Sequence, residues 1–537
     1  GVQSAATRSI ASQIRRSSSN SDQGERLSPQ DAARQVLARL QANRTERGET
    51  DVATPPVRYF NQNYYHWDGR EWKVDPTFEL VITKILQEVA HTSDLTNNFI
   101  RSVISNLQAM THLDCRNTRL PVFIRNENPQ EFEECGFVTL QNGIINIAAL
   151  QTAGHGVQLF RHNPSIFGSP SLGYPFDATA TCPMWLETLN QIFPSQGPED
   201  HRIAIVQEFF GYCLMPMFHR MESFVILLGE GANGKSVVLD ILRAMLGRDN
   251  VSDVPLDAFG GEFRLSDTIG RLANIATEMQ RMQRVQEGIL KQLVSGEPVQ
   301  INRKFKQPVT MYPTAKLIFA TNHLPPFADT TDGLWRRMIV IPFFVQFAAN
   351  QIDRHRARRI ITSELAGVLN WSLAGAQRLI QNDTFTHCEV CETAKHGHRQ
   401  DSDPFLQFMD ECCQQGDGLS VLCDDLYKAY RGFCEATGKM PKAKSEFGKQ
   451  IAKLENVTRR RELSDRRRYY VYTGIDLLPT VLGSPQCESR LRQYQPPHRD
   501  DMFPRAGLRH AGEPAASRGT PPNALDRPPR GMNPGVS

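Results

Sequence analysis

The segment Gly229-Glu230-Gly231-Ala232-Asn233-Gly234-Lys235-Ser236 constrains this chain more than any other stretch. Four residues separate its first glycine from Gly234-Lys235-Ser236, the spacing of a phosphate-cradling loop. The apolar run Phe224–Leu228 before it suits a buried strand, and residues 237–246 after it have helical spacing closed by Gly247. A strand–loop–helix turn of this kind aims backbone N–H groups and a helix N-terminus at phosphate oxygens. In that setting residues 229–236 would hold ATP, Lys235 would neutralise charge on the β- and γ-phosphates, and the Ser236 hydroxyl would ligate Mg²⁺. The expected fold class is α/β.

A nucleotide site also needs a carboxylate at the end of a neighbouring strand. Leu272-Ala273-Asn274-Ile275-Ala276-Thr277-Glu278 is a mostly apolar run ending in an acid. Glu278 is the candidate to organise Mg²⁺ through water and to activate the attacking water, although strands often end in an acid without such a role. A second apolar run, Lys316–Thr321, ends at Asn322, whose amide could hold that water. Arg336-Arg337 then precedes the apolar stretch Met338–Pro342. This pair reads either as a solvated strand entrance or as a cation offered to a phosphate across a subunit interface.

This order of motifs resembles the superfamily 3 helicases, and among them the phage/plasmid primase–helicase group that includes the poxviral primase–helicase. The matching text is GEGANGKS, NIATEM, KQLVSGEPVQINRKFK and KLIFATNHLPPFADTTDGLWRRMIVIPF, with HWDGREW, NGIIN and FDATATCPMW upstream. The resemblance spans roughly residues 64–478. It implies a P-loop, AAA+-like ATPase core (203–377) preceded by an α+β domain (57–202). A helical connector (378–400) and a winged-helix DNA-binding domain (401–478) would follow. It further implies ATP-driven DNA unwinding by a homo-hexamer during replication of a phage, plasmid or virus-like element. Many members carry two adjacent acids in the second motif, whereas Thr277 precedes Glu278 here. Neither the paired acids of an archaeo-eukaryotic-type primase nor a convincing zinc ribbon is present, so a primase domain would precede Gly1 or act as a separate protein.

DNA contacts are expected at two places. Residues 301–308 carry Arg303, Lys304, Phe305 and Lys306, a basic and aromatic hairpin tip that the resemblance assigns to strand tracking; as bare sequence it reads equally well as a solvated turn. Lys291, on the preceding helix, is a further candidate. Residues 401–478 read as three helices followed by two short strands. There Arg459-Arg460-Arg461 and Arg466-Arg467-Arg468 flank Leu463-Ser464 and lead into Tyr469-Tyr470, the outline of a helix pair with a basic wing. Cys388, Cys391, His396 and His398 imitate zinc spacing, but the two cysteines lie within one turn of an expected helix, with Glu389 and Glu392 suiting a solvated face.

Composition narrows the remaining choices. Of 537 residues, 40% are hydrophobic and 22% charged, ordinary globular usage. The net charge of +3 announces no partner, so any nucleic-acid site must come from local clustering. No apolar run approaches the length of a membrane span. Eleven cysteines over this length make no disulfide framework and no secretory signal is visible, so a reducing, cytoplasmic setting is expected. The chain begins at Gly1, as a fragment or processed product would. Residues 1–56 are Ser-, Arg- and Gln-rich and are expected to be solvated, with one short helix at 29–40; the Arg/Ser bias before Asp22 is similar to that of a mitochondrial transit peptide. Residues 479–537 read as a disordered Pro/Arg-rich tail. Two other functions stay open: a DNA-binding initiator without productive ATPase, and a small-molecule phosphotransferase.

Overall fold

Ala32, Ala33 and Val36 share one helical face and are all 0% exposed. The computed structural model describes residues 27–46, 55–90, 95–113, 120–125, 128–131, 136–151, 157–277, 286–304, 306–324, 327, 332–464 and 467–478. The Ala32–Val36 face belongs to helix α1 (Pro29–Glu46), opened by the Asp31 N–H donating to Ser28 Oγ at 3.1 Å. The helix therefore continues beyond the expected 29–40, and it is built into a core instead of being solvated. Small residues give that face little amphipathic contrast, yet they allow close approach of other helices.

The partners of α1 follow directly. Strands β1 (Val57–Phe60), β2 (Asn63–Trp67) and β3 (Trp72–Val74) form an antiparallel meander. Helices α2 (Phe78–Val89) and α3 (Asn97–Thr111) close over α1 and Val57. The turn between β1 and β2 is Asn61-Gln62, at φ 48° and 63°, the left-handed pair a tight hairpin requires. Short strands β4 (Val122–Arg125), β5 (Asn128–Glu131), β6 (Phe137–Leu140), β7 (Gly143–Asn146), β8 (Leu159–Phe160) and β9 (Ile166–Phe167) come next. Strands β6 and β7 form a hairpin whose turn is Gln141-Asn142, because Leu140 pairs with Gly143. Asn142 instead reaches Phe176, donating to its carbonyl at 2.8 Å and accepting its N–H at 2.9 Å. Two of the upstream motifs are thereby tied together.

Helix α4 (Pro183–Ile192) starts on proline, and the Glu364 carboxylate accepts the Met184 and Trp185 N–H groups at 2.9 and 3.0 Å. Helix α5 (Arg202–Cys213) follows. Apolar packing is continuous from Val138, Leu140, Trp185 and Leu189 into Phe209, Leu239 and Ile318. Among the described residues, then, the core does not break at the expected boundary of 202.

The central layer is built from β10 (Phe224–Leu228), α6 (Lys235–Leu246), β11 (Val251–Ser252), β12 (Ala273–Ala276), α7 (Glu287–Ser295), β13 (Val299–Arg303), β14 (Lys306–Met311), β15 (Lys316–Thr321), α8 (Asp332–Trp335), β16 (Met338–Pro342), α9 (Arg356–Ser363), α10 (Leu365–Asn382) and α11 (Glu389–Ser402). Five strands pair in parallel in the order β11-β12-β15-β10-β16. Alternate residues of β10 serve opposite faces: Val225 and Leu227 meet α6 and α10, while Phe224 and Ile226 meet α7 and Trp335. Burial on both faces is why the strand reads as an unbroken apolar run.

Helices α5 and α10 touch at their backbones. A Cβ on Gly211 would lie 2.4 Å from Ala376 N, and one on Gly375 would lie 2.3 Å from the Gln207 carbonyl oxygen. Gly211→Ala is expected to cost about 1–3 kcal/mol by overpacking. Thermal denaturation beside Gly397→Ala, whose Cβ would meet nothing within 4 Å, checks this. The Gly397 variant should be neutral or stabilised by up to about 1 kcal/mol.

By internal packing the chain divides into two units, 1–403 and 404–537. The second contains α12 (Pro404–Cys412), β17 (Cys413–Leu422), α13 (Cys423–Ala436), α14 (Lys444–Ile451), β18 (Thr458–Ser464) and β19 (Arg467–Leu477). The three helices are those the sequence predicts. Strand β17 is an addition: it pairs antiparallel with β19 and makes a three-stranded sheet, β17-β19-β18. Gln414-Gln415-Gly416-Asp417-Gly418 hides it by turn-like composition, and the register shifts between Gln415 and Ser420. Among the described residues no helix is long and apolar enough to cross a membrane.

Candidate functional site

Parallel pairing brings the carboxyl ends of β10, β12 and β15 to one edge of the sheet. The chain crosses β10 in passing from β15 to β16, so this edge is a crevice of the kind where α/β sheets bind ligands. Residues 229–236 lie there. Gly234 adopts φ 93°, and a Cβ on it would also strike Ile192 Cδ1 at 2.6 Å, so only glycine fits between the loop and α4. Asn233, 2% exposed, ties the loop by donating to the Glu230 carbonyl at 2.9 Å. The Lys235 ammonium donates to the Gly229 carbonyl and, at 3.2 Å, to Asn233 Oδ1. Burial lowers the Lys235 pKa below the usual lysine value. A partly desolvated cation beside the first turn of α6, with Ser236 exposed at that turn, fits a polyphosphate and its magnesium ion.

Asn322 is adjacent. Thr321 pairs with Leu228, and the Gly229 N–H donates to the Thr321 carbonyl at 3.2 Å, so exposed Asn322 emerges beside the loop. Strand β12 lies one strand further out and is described to Thr277; Glu278 falls outside the described residues. The twin arginines are not brought to this edge. Both precede β16, whose Met338 pairs with Phe224 at the amino end of β10. At about 3.3 Å per residue, Arg336 lies roughly 20 Å along the sheet from Gly229. The two also differ from each other. Arg337, with its side chain 13% exposed, donates to the Gly333 carbonyl (2.7 Å) and Ser295 Oγ (3.0 Å) and pairs with Glu222 (2.6 Å). Arg336 is 66% exposed, with Glu222 at 3.9 Å.

The basic hairpin is β13–β14, and its tip meets the amino-terminal meander. Arg303 donates to the Asn61 carbonyl at 3.2 Å, and Lys306 to Asn63 Oδ1 at 2.8 Å. Desolvation there lowers the Arg303 pKa. Lys304 is exposed, Lys291 is half-buried on α7, and Phe305 lies outside the described residues.

In the carboxy-terminal unit the strand period divides the first arginine triplet. Arg459 and Arg461 stand opposite Tyr472 and Tyr470 on one face, and Arg460 stands opposite Val471 on the other. All three are exposed, and the Arg459 guanidinium lies over the Tyr470 ring, 4.2 Å from its centroid. Arg467 and Arg468 pair with Ser464 and Leu463 on β19, while Arg466 lies outside the described residues. A cleft of about 850 Å³ between α13, α14 and this hairpin is lined by Lys444, Lys449, Arg459, Tyr469 and Tyr470.

The zinc-like residues separate. Cys388 and Cys391 are buried at the start of α11, while the His396 side chain is 66% exposed beside Glu392. His398 lies further along the same helix. Among the described residues no group of three or more His, Cys, Asp or Glu is placed to hold a metal ion.

Residues 400–472 match the family described as Poxvirus D5 protein-like, and residues 227–337 match a family of unknown function (DUF5906). "Putative helicase L207/L206" of Acanthamoeba polyphaga mimivirus is 26% identical over 251 residues, 42% of this chain and 26% of that protein. "Putative helicase 022R" of Frog virus 3 is 22% identical over 255 residues, 43% of this chain and 26% of that protein. Over these segments the chain is similar to Poxvirus D5-like proteins and to viral putative helicases. It spans about a quarter of the length of these relatives. The apo structure of the NrS-1 C-terminal region aligns with a TM-score of 0.41 at 11% identity, covering 78% of this chain and 96% of that one.

Three residues that hold candidate site residues had no motif to reveal them. Glu222 fixes Arg337, and nothing in sequence spacing links residues 115 positions apart. Asn61 lies in the β1–β2 turn and Asn63 opens β2; their contact with residues 303–306 arises only when the amino-terminal meander packs beside the hairpin.

Proposed function

We propose that this chain is an ATP-dependent DNA helicase of the superfamily 3 primase–helicase type. It would act as a homo-hexamer in replicating a phage, plasmid or virus-like genome, with any primase supplied by another domain or protein. The observation that carries this reading is the placement of Lys235 and Asn322 at one edge of the sheet and exposed Arg336 at the other. One chain then offers half a site at each edge, and a ring joins the halves. ATP would occupy residues 229–236, Mg²⁺ would sit by Ser236 with Glu278 acting through water, and Asn322 would orient the attacking water. Three helices, a three-stranded sheet and the exposed Arg459 and Arg461 support a winged-helix DNA-binding module in the second unit.

An ATPase and forked-duplex unwinding assay, run with and without single-stranded DNA, tests the proposal. DNA-stimulated hydrolysis with strand separation is expected. DNA binding without hydrolysis would assign the chain to an initiator, and DNA-independent phosphoryl transfer to a small acceptor would assign it to a phosphotransferase.

The hairpin adds a quantitative expectation. Asn63 holds one of the cations that would meet the DNA backbone. Asn63→Ala should release Lys306 and tighten single-stranded DNA binding by about two- to five-fold, the scale of one exposed polar contact. The log–log salt slope should steepen by about 0.7. Fluorescence anisotropy across a salt series measures both, and an unchanged slope would place Lys306 away from the DNA path.

A further inference from the structure

Cys388 caps α11 in an extended conformation (φ −140°, ψ 108°), and Cys391 lies in the first turn. The two sulfurs are in hydrogen-bond contact, and Cys388 Sγ also accepts the His201 N–H at 3.3 Å. The Cys391 S–H donates to Cys388 and, against burial, lowers the Cys388 pKa to about 6, helped by the backbone N–H groups of Cys391 and His201. The same contact raises the Cys391 thiol, so the pair shares one proton. A Cys-x-x-Cys pair at a helix N-terminus is the setting in which a thiolate becomes nucleophilic. Both residues are 2–3% exposed, yet they form part of the wall of a cleft of about 860 Å³, a volume that admits a small molecule. Arg220, Arg336 and Lys395 line the same cleft against Asp383 and Glu392; with Arg220 paired to Asp383 and Lys395 to Glu392, exposed Arg336 leaves the lining net positive and favours an anionic visitor.

We propose that Cys388 and Cys391 form a redox-active dithiol that a small anionic disulfide, of the glutathione class, converts to an intrachain disulfide. The Cys388 thiolate attacks one sulfur of the oxidant, forming a mixed disulfide and expelling one thiolate. Cys391 gives its proton to that thiolate and attacks Cys388 Sγ, expelling the second thiolate, which takes the proton originally released by Cys388. Two cysteine thiols are oxidised by two electrons, and one oxidant disulfide is reduced to two thiols. Only the sulfurs must approach, to the roughly 2.0 Å of a disulfide bond, and the non-helical backbone of Cys388 leaves its side chain room to do so.

The bond changes what Cys388 can hold. A disulfide sulfur is a weaker acceptor than a thiolate, so the His201 N–H loses a strong partner. The next residue, Arg202, is 1% exposed and donates to Asp200 (2.7 Å) and to the Pro194 and Pro342 carbonyls (both 3.0 Å). Pro342 ends β16 opposite Leu228, where the glycine loop begins. The dithiol thus sits two residues' contacts away from the candidate nucleotide site, and it does so whether or not that site hydrolyses ATP.

The test incubates the full chain in glutathione buffers of increasing disulfide-to-thiol ratio, followed by acid quench, alkylation under denaturing conditions and peptide mapping. The expected result is a peptide containing Cys388 and Cys391 that has lost two hydrogens and takes up no alkylating agent, reversibly on return to reduced glutathione. Buried Cys182, Cys213 and Cys434 should still alkylate. Cys391→Ser should accumulate a glutathione mixed disulfide at Cys388, and Cys388→Ser should leave Cys391 unmodified. Free thiols at both positions in excess oxidant overturn the proposal, as does oxidation only in step with the other buried cysteines. Failure of Cys391→Ser to trap the mixed disulfide overturns the assignment of Cys388 as the attacking sulfur.

Discussion

Arg336→Ala is expected to lower ATP turnover by roughly 10³–10⁵-fold, the range an arginine brought to a γ-phosphate supplies. Nucleotide affinity should change far less, because the side chain would act on charge that develops during transfer. In the proposed ring, Arg336 would act on the nucleotide of a neighbouring subunit. Arg336 stands at the opposite end of β16 from the loop of its own chain, beyond the reach of one side chain. Mixing Arg336→Ala with Lys235→Ala, each inactive alone, should restore part of the activity, since some interfaces then pair an intact loop with an intact arginine. With subunit exchange verified by label transfer, no recovery would remove the interfacial role. Arg337→Ala should behave differently. Its partners Gly333, Ser295 and Glu222 would lose a charged donor, so the loss should appear as about 1–3 kcal/mol of stability, and Lys235→Ala should not complement it in any special way.

Lys235→Ala is expected to reduce hydrolysis by at least about 10²–10³-fold, the scale on which removal of one preorganised donor acts. The fold should survive, because the Gly229 carbonyl that loses its partner is half-exposed and Asn233 keeps its bond to the Glu230 carbonyl. Circular dichroism and thermal melting verify the fold; a steady-state ATPase assay measures the loss. Near-normal turnover by a folded variant would remove the glycine loop from the chemistry. The lowered Lys235 pKa makes a second, independent expectation. Polyphosphate binding should raise that pKa, so binding should take up protons at alkaline pH, which calorimetry in buffers of different ionisation enthalpy detects.

Much of the central layer was legible because its signals are local. The apolar runs at 224–228, 316–321 and 338–342 are buried on both faces, so they announce themselves without knowledge of their neighbours. The glycine loop was equally legible, since a left-handed residue at Gly234 and a lysine at the helix start are conditions on adjacent backbone. Less was legible where contrast is weak. Helix α1 was legible as a short helix, but its packing through alanines hid its burial, and β17 passes through Gly416-Asp417-Gly418, which hides the strand period.

By itself, then, the sequence determined the phosphate-type loop, the strands around it and the resemblance of the chain to D5-like proteins, because each depends on short stretches with strong local preferences. Tertiary structure alone decided which of two adjacent arginines is available. Arg336 and Arg337 are equivalent as text, and only the placement of Glu222, Ser295 and Gly333 around one of them buries it and leaves the other exposed. It also decided that Arg303 and Lys306 meet Asn61 and Asn63, and that Cys388 accepts the His201 N–H, pairings across some 190 to 240 positions. Such contacts follow from the order in which strands join a sheet, and no local propensity encodes that order.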